Sequence, residues 1–222
     1  MKNVIFFLSI FLFFSCSKKE TNTFKEMKSD KLLSESFTNS ELKDLAKIVD
    51  FFEDHICENL KNKDKSSLEK CYDKFLKIDS VRYFDKHEMY VFEYKNQEQL
   101  YSELSPDFFN EFWNEGTGTD YTGSENEVKY TYLNLKVYGE KGLSKYGSFV
   151  KNFSKENKFI KEYFEGIEVS AEFLTPTTPI KLTYYYRRFN KKDIKIRMIY
   201  AFHYLNVNEM YMKPLLSKNN KQ

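Results

Sequence analysis

Apolar residues recur every three or four positions over much of the chain, a spacing that predicts amphipathic helices. The first such helix is predicted to start at Thr38, because Glu41 stands at the capping-box position relative to it. Phe37 and Leu42 occupy the positions of a hydrophobic staple around this start. The apolar stripe of the helix consists of Leu42, Leu45, Ile48, Val49, Phe52, Ile56 and Leu60. A polar run at 61–66 ends the stripe, so the helix is predicted to stop near residue 60.

A second helix is predicted directly after the polar run, since Ser66 and Glu69 again have capping-box spacing. Its apolar positions are Leu68, Cys71, Tyr72, Phe75 and Leu76. Two helices joined by a short polar break form an antiparallel helical hairpin. Cys57 and Cys71 would lie opposite each other in this hairpin, because each is seven residues from Asp64 in the middle of the break.

This geometry predicts a disulfide between Cys57 and Cys71, and the alternative is two free, buried thiols. The disulfide would close a loop of about 15 residues and stabilise the fold by roughly 3 kcal/mol in the chain-entropy model. We predict a structural role, since the sequence lacks the Cys-x-x-Cys spacing of redox-active thiols.

Further helices are predicted in the second half of the chain. Pro106 marks a helix start, because proline is favoured at the first helical position. The residues of this helix expected in the core are Phe108, Phe109, Phe112 and Trp113. A longer apolar stripe covers 146–167, with a break near Ser154. Thr178 and Asp193 are predicted to cap the last two helices at their N termini.

Three segments fit both a helix and a strand: 88–94, 128–138 and 180–206. The glycine-rich stretch at 116–127 is predicted to be a surface loop. Glycine and proline together make up 11 of the 222 residues, which is less than half of their average usage of about 12%. Because a β-rich fold needs many tight turns, this scarcity favours a mostly helical domain that opens with the disulfide-stapled hairpin. The alternative is an α+β fold with a small antiparallel sheet.

The division of the chain follows from the same patterns. The stretch at 16–36 is polar, charged and weakly periodic, which is typical of a flexible tether. A single globular domain is predicted over 37–216, followed by a disordered tail at 217–222. Lys and Arg number 35 and Asp and Glu number 33, so no large basic field indicates a nucleic-acid partner.

The first fifteen residues have the pattern of an export signal. Lys2 precedes an apolar run, Val4–Phe14, which is shorter than the about 20 residues of a membrane span and typical of a signal peptide. The run ends in FFSCSKK, 13–19, which resembles the lipobox of bacterial lipoproteins in the form found in Bacteroidota. The resemblance implies that the signal peptide, 1–15, is removed and that the thiol of Cys16 carries acyl chains such as palmitate.

An acylated Cys16 would hold the protein in a lipid bilayer, since each buried methylene contributes about 0.8 kcal/mol. We expect a location in the cell envelope, on the outer membrane and facing the periplasm. In that oxidising compartment Cys57 and Cys71 are left as an even pair, which favours the disulfide on separate grounds.

The rest of the chain resembles an uncharacterised group of Bacteroidota lipoproteins. The likeness rests on the Cys57 hairpin, on KYGSFVKNFSKENKFIKEY (145–163) and on IRMIYAFHYLNVNE (196–209). No activity attaches to that group, so the resemblance implies no functional residue.

Motifs of catalysis or metal binding are scarce in this sequence. The histidines, His55, His87 and His203, lack the local pairing of a zinc site, so no metal or cofactor is predicted. For His203 we expect a packed side chain with one satisfied hydrogen bond. The signatures of nucleophilic catalysis and nucleotide binding are also missing from the sequence. A pair of carboxylates for glycoside cleavage stays open, because 33 acidic residues always offer pairs.

The aromatic residues suggest where a partner could bind. The stretch TYYYRRF combines tyrosine and arginine, which are enriched at binding hot spots. The predicted patch consists of Tyr184, Tyr185, Tyr186, Arg187 and Arg188. We therefore expect a non-catalytic, lipid-anchored envelope protein that binds another protein, such as an envelope protein, or an envelope component. The alternatives are an envelope hydrolase acting on glycan or peptide and a carrier of a small ligand.

Overall fold

The structure, a computed structural model, describes residues 20–57, 65–86, 93–119, 127–133, 136–137, 142–169, 182 and 186–219. Its α-helices are α1 (Asn22–Ser29), α2 (Lys31–Ser36), α3 (Asn39–Ile56), α4 (Lys65–Lys86), α5 (Tyr94–Glu103), α6 (Pro106–Phe112), α7 (Lys145–Ser154), α8 (Lys158–Val169) and α9 (Ile194–Asn219). Its strands are β1 (Trp113–Thr119), β2 (Glu127–Leu133), β3 (Lys136–Val137) and β4 (Gly142–Leu143). A single 3-10 turn covers Tyr186–Arg188.

The prediction of a mostly helical domain is confirmed. Two short antiparallel strand pairs accompany the helices: β1 pairs with β2 and β3 pairs with β4. Most of the ambiguous segment 128–138 is therefore extended. The predicted loop at 116–127 was too wide, because Gly116 to Thr119 continue β1 in register with β2. Of the segment 88–94, only Glu93 and Tyr94 are described, and Tyr94 begins α5.

Helix α3 has the predicted start, and its predicted apolar face is buried from Leu42 to Phe52. The helix ends at Ile56, earlier than predicted, and Leu60 lies outside the described residues. The Thr38 hydroxyl accepts the N–H of Glu41, and the Glu41 carboxylate accepts the N–H of Thr38, as in a capping box. The Glu41 carboxylate also pairs with Lys145 at the start of α7. Burial would raise the pKa of Glu41, but the hydrogen bond from Lys145 lowers it below its usual value. The start of α3 is thus tied to α7.

The hairpin of α3 and α4 is closed as the sequence predicts. Cys57, the C-cap of α3, forms a disulfide with Cys71 in α4, and their Cα atoms are 5.3 Å apart. Beyond the disulfide, the ring of Phe52 meets those of Tyr72 and Phe75 at centroid distances of 6.0 and 5.6 Å. The two helices of the hairpin are therefore joined both by the disulfide and by aromatic contacts in the core.

Helix α9 runs through the centre of the domain. Every residue from Ile196 to Glu209 is buried, and the helix contacts α1, α3, α5 and β2. It begins after Asp193, whose carboxylate accepts the N–H of Lys195 at 2.9 Å, as predicted for an N-cap. The part of the ambiguous segment 180–206 that starts at Ile194 is therefore helical, and the predicted cap at Thr178 lies outside the described residues.

The predicted tether over 16–36 is wrong from Asn22 onwards. Residues 22–29 and 31–36 form α1 and α2, which bury Phe24, Met27 and Leu33 in the main core. Asp30 serves both helices, because its N–H bonds the end of α1 and its carboxylate caps α2. The folded domain thus begins about fifteen residues before the predicted boundary at 37. At the other end, α9 continues to Asn219, into the predicted tail at 217–222.

Candidate functional site

The predicted site residues fall in different parts of the chain. Cys16 lies outside the described residues, and six positions separate it from the first residue of α1. Cys57 and Cys71 come together as a disulfide at the end of the hairpin where α3 leads into α4. This bond links the C-cap of α3 to the second turn of α4 and is 4% exposed at Cys57, which suits a structural cross-link.

The predicted binding patch is described only in part. Tyr184 and Tyr185 lie outside the described residues, while Tyr186–Arg188 form the 3-10 turn. Arg187 and Arg188 are exposed, and the Arg188 guanidinium lies 5.6 Å from the ring centroid of Phe159 in α8. Phe159 in turn meets the ring of Phe189 edge-on at 5.8 Å. An arginine over an aromatic pair is thus presented at this surface.

The histidines do not converge on one site. His55 is half-buried near the C terminus of α3, and His87 lies outside the described residues. His203 is fully buried in the middle of α9. Among the described residues, no three His, Cys, Asp or Glu side chains are grouped so that they could hold a metal ion.

An open groove of about 410 Å³ lies between α3 and α5. Its charged lining comes from Lys47, Asp50, Asp54 and Glu103, and its apolar lining from Phe51 and Leu100. The Lys47 ammonium donates to the Asp44 carboxylate at 2.6 Å and to the Glu103 carbonyl at 2.7 Å. The lysine is thereby held at the rim, and the remaining charge in the groove is acidic.

A paired ionic cluster lies on the central helix, α9. The Arg197 guanidinium donates from Nε and Nη2 to the two carboxylate oxygens of Glu53, at 2.6 and 3.0 Å. Its Nη1 donates to Glu26 of α1 at 2.8 Å. Burial would lower the pKa of Arg197, but the hydrogen bonds and charge of Glu53 raise it above its usual value. Glu53 is 0% and Arg197 3% exposed, so this bidentate pair is a buried link between α3 and α9, and the bond to Glu26 adds α1.

A second polar network joins α5 to residues 205–209 of α9. The Gln97 amide nitrogen donates to the Leu205 carbonyl at 3.0 Å, and the Gln97 oxygen accepts from Asn208 at 2.9 Å. Burial, followed by the nearby charge of Glu209, raises the pKa of Tyr94 far above its usual value. The two hydrogen bonds of Gln97 therefore join α5, which forms one wall of the groove, to α9.

A third polar group on α9 has a different character. His203 lies between Tyr163 and Tyr204, with ring centroids 6.2 and 5.4 Å away. Both ring nitrogens of His203 and the hydroxyls of Tyr146 and Tyr163 are buried without a hydrogen-bond partner in the described part of the chain. The expected satisfied hydrogen bond of His203 is therefore not found there. Burial lowers the pKa of His203 to about 3, so the imidazole is neutral.

The outer face of α1 carries positive charge. Its exposed residues are Asn22, Lys25, Lys28 and Ser29. The ammonium groups of Lys28 and of Lys43 in α3 lie 5.9 and 5.7 Å from the ring centroid of Phe24, so the two are within about 12 Å of each other. We call Lys25, Lys28 and Lys43 the lysine face. Over the residues that the structure covers, none of the three forms an ion pair.

Comparison of the chain with protein-family models, with curated proteins and with solved structures finds no match. Its function must therefore be argued from its own residues. Within the described ranges, no helix has the length and apolar character needed to cross a membrane.

Sequence reasoning missed the groove and the lysine face. The groove joins residues of α3 to residues of α5 about 50 positions later, and periodicity within one helix gives no information on such a pairing. The lysine face did have a local signal. Lys25 and Lys28 are three residues apart, the spacing of one helical face, but α1 is only eight residues long.

Proposed function

We propose that this protein is a non-catalytic, lipid-anchored protein of the bacterial cell envelope that binds another envelope protein. The proposal places acyl chains on Cys16, the domain on the periplasmic side of the outer membrane, and the binding surface at the groove between α3 and α5. The resemblance of FFSCSKK, 13–19, to a lipobox motivates the anchor.

The disulfide between Cys57 and Cys71 is the main observation in favour of the cell envelope as the protein's compartment. Disulfides persist in oxidising compartments such as the bacterial envelope and are rare in a reducing cytosol. The chain has three cysteines, so after Cys57 and Cys71 have paired, Cys16 of the lipobox is the one left for acylation. Signal, lipobox and disulfide therefore support one location.

The character of the groove supports binding rather than ligand carriage. It is open, and the charged residues Asp50, Asp54 and Glu103 stand beside the apolar Phe51 and Leu100. Polar rims around apolar centres are typical of protein interfaces. A carrier of an apolar ligand would instead favour a closed, apolar cavity. The residues whose pKa is most displaced are buried, such as Tyr72, Tyr146 and His203, which suits roles in packing.

The anchor is tested by mass spectrometry of the N terminus of protein extracted from membranes. We expect the chain to start at an acylated Cys16. Cys16→Ser is expected to block removal of residues 1–15 and acylation together. A mature chain that starts elsewhere, or that carries a free Cys16 thiol, would contradict the anchor.

The binding role is tested by crosslinking in intact cells and purification from a detergent extract. A stoichiometric partner is expected with the parent protein and to be lost with Asp54→Arg, which reverses a charge in the groove. Glu156→Arg, an exposed position between α7 and α8, is the matched control and should retain the partner. Equal recovery with both variants would remove the groove from the proposal, and Arg188→Ala would then test the aromatic patch in the same assay.

A further inference from the structure

We infer that the lysine face is the surface by which the domain docks on the anionic headgroups of the bilayer that holds Cys16. This inference rests on the anchor of the proposed function and adds an orientation to it. Lys25, Lys28 and Lys43 would lie against the membrane.

The first argument is the short distance along the chain. Asn22, the first residue of α1, is six positions after Cys16. An extended chain spans at most about 3.3–3.6 Å per residue, so α1 starts within roughly 20 Å of the anchored sulfur. The folded domain is therefore held beside the headgroups, and one of its faces must lie towards them.

The second argument is the charge of the faces near this attachment. The exposed side chains of α1 are cationic or neutral, because its carboxylate, Glu26, pairs with Arg197. Lys43 adds a third cation from α3 close to Lys28. Between Cys16 and α1 the sequence has Lys18 and Lys19 against one acidic residue at position 20. This end of the molecule thus carries a local excess of positive charge.

The third argument is the contrast with the groove. Asp50, Asp54 and Glu103 line it, and anionic headgroups would repel these carboxylates. A lysine near an anionic membrane surface contributes about 1 kcal/mol, and the attraction decays within a Debye length. Charge alone therefore favours the orientation in which the lysine face, rather than the groove, contacts lipid.

The test is lysine footprinting of the full acylated chain in vesicles. The protein is reconstituted into vesicles of phosphatidylcholine alone and into vesicles that also contain phosphatidylglycerol, and is labelled with an amine-reactive reagent. Labelling of Lys25, Lys28 and Lys43 is expected to fall roughly fivefold in the anionic vesicles, the factor equivalent to about 1 kcal/mol. High salt should restore it. Lys95 and Lys151, exposed on α5 and α7, are internal references that should not change.

A charge reversal provides the matched comparison. Lys28→Glu leaves Lys25 and Lys43 as reporters, and both should lose most of their protection in anionic vesicles. Lys158→Glu, at an exposed position of α8, should leave the protection as in the parent protein.

The outcomes separate this inference from the anchor. If the protein floats with both kinds of vesicle but the three lysines are labelled equally in both, the anchor stands and the docking surface is overturned. This holds even if the lysines are protected in both, since the contact would then not be electrostatic. Protein that does not float with vesicles removes the anchor and this orientation together.

Discussion

Two polar side chains of the central helix, Arg197 and His203, are both buried, but one is charged and the other is neutral. Arg197 keeps its charge because Glu53 binds it through two hydrogen bonds and Glu26 through a third. Six residues further on, His203 is neutral and, within the described residues, lacks a hydrogen-bond partner for either ring nitrogen. A buried group thus either retains its ionised state through partners or gives it up through a shift of its pKa.

The largest expected effect is the breaking of the paired cluster. Arg197→Met would leave Glu53 buried without its cation, and we expect the free energy of unfolding to fall by about 3–5 kcal/mol. Chemical denaturation measures this loss. Arg188→Met, in the exposed 3-10 turn, is the control and should change stability by less than about 0.5 kcal/mol. A loss below about 1 kcal/mol for Arg197→Met would show that the pair does not hold α1 and α3 to α9.

The second expected effect is recovery when both charges are removed. Glu53→Met combined with Arg197→Met removes the unpaired carboxylate, and replacing a buried pair by apolar residues is often neutral or stabilising by about 1–4 kcal/mol. We therefore expect the double variant to be more stable than Arg197→Met by at least about 2 kcal/mol. A double variant as unstable as the single one would mean that packing, and not charge, explains the loss.

The third expected effect concerns the unpaired cluster and pH. The pKa of His203 is lowered to about 3 in the folded protein, whereas an unfolded histidine has a pKa of about 6.5. Between these values the unfolded chain binds a proton that the folded chain does not, so stability falls as the pH is lowered through this window. The contribution is about 1.4 kcal/mol per pH unit and is complete above the unfolded pKa.

His203→Phe removes this contribution and keeps an aromatic ring between Tyr163 and Tyr204. The variant should lose about 1.4 kcal/mol per pH unit less than the parent protein between pH values of about 6 and 4. Urea denaturation at a series of pH values measures the difference. Parallel curves for the two proteins would mean that His203 titrates normally in the fold.

The smallest expected effect is the loss of a hydroxyl. Tyr163→Phe removes an oxygen without a partner among the described residues, so stability should change by less than about 0.5 kcal/mol. Tyr204→Phe is the matched comparison, since its hydroxyl donates to the Asp79 carboxylate at 2.5 Å, and its loss should cost about 1.5–3 kcal/mol. Equal costs in thermal unfolding would remove the distinction between the two environments.

The sequence predicted α3 and the disulfide well because both are local. Thr38 and Glu41 are three residues apart, and the α3 stripe has polar residues on its other side, so one period stands out. The disulfide needed only the symmetry of Cys57 and Cys71 around one polar break. The start of α3 and the disulfide could be predicted because the residues that form them are close together in the sequence.

Helix α9 could not be read in the same way. Ile196, Met198, Tyr200 and Phe202 alternate like a strand, whereas Ile194, Arg197, Met198, Ala201, Phe202 and Leu205 have helical spacing. Both patterns are present because residues 196–209 are buried on every side of the helix, so no polar face reveals its period. For α1 the difficulty was length. With eight residues, Phe24 and Met27 gave too few repeats to distinguish a packed helix from a tether.

The candidate site was the least predictable part. Glu53 and Arg197 are 144 positions apart, and the groove combines α3 with α5. Such pairings depend on the tertiary arrangement, about which a single sequence carries no local signal. The predicted patch around Arg188 depended on composition alone, and it stays a prediction.

The central position of α9 has a consequence for the order of folding. A ribosome or a translocation pore that releases the chain from its N terminus delivers the outer helices long before the helix they surround. Contacts such as those of Arg197 with Glu26 and Glu53 close loops of 171 and 144 residues, and contacts of such high order form slowly. A nascent chain that ends before residue 194 would contain the outer helices but not α9, the helix on which they pack. We expect such a chain to stay accessible to chaperones and proteases until α9 emerges.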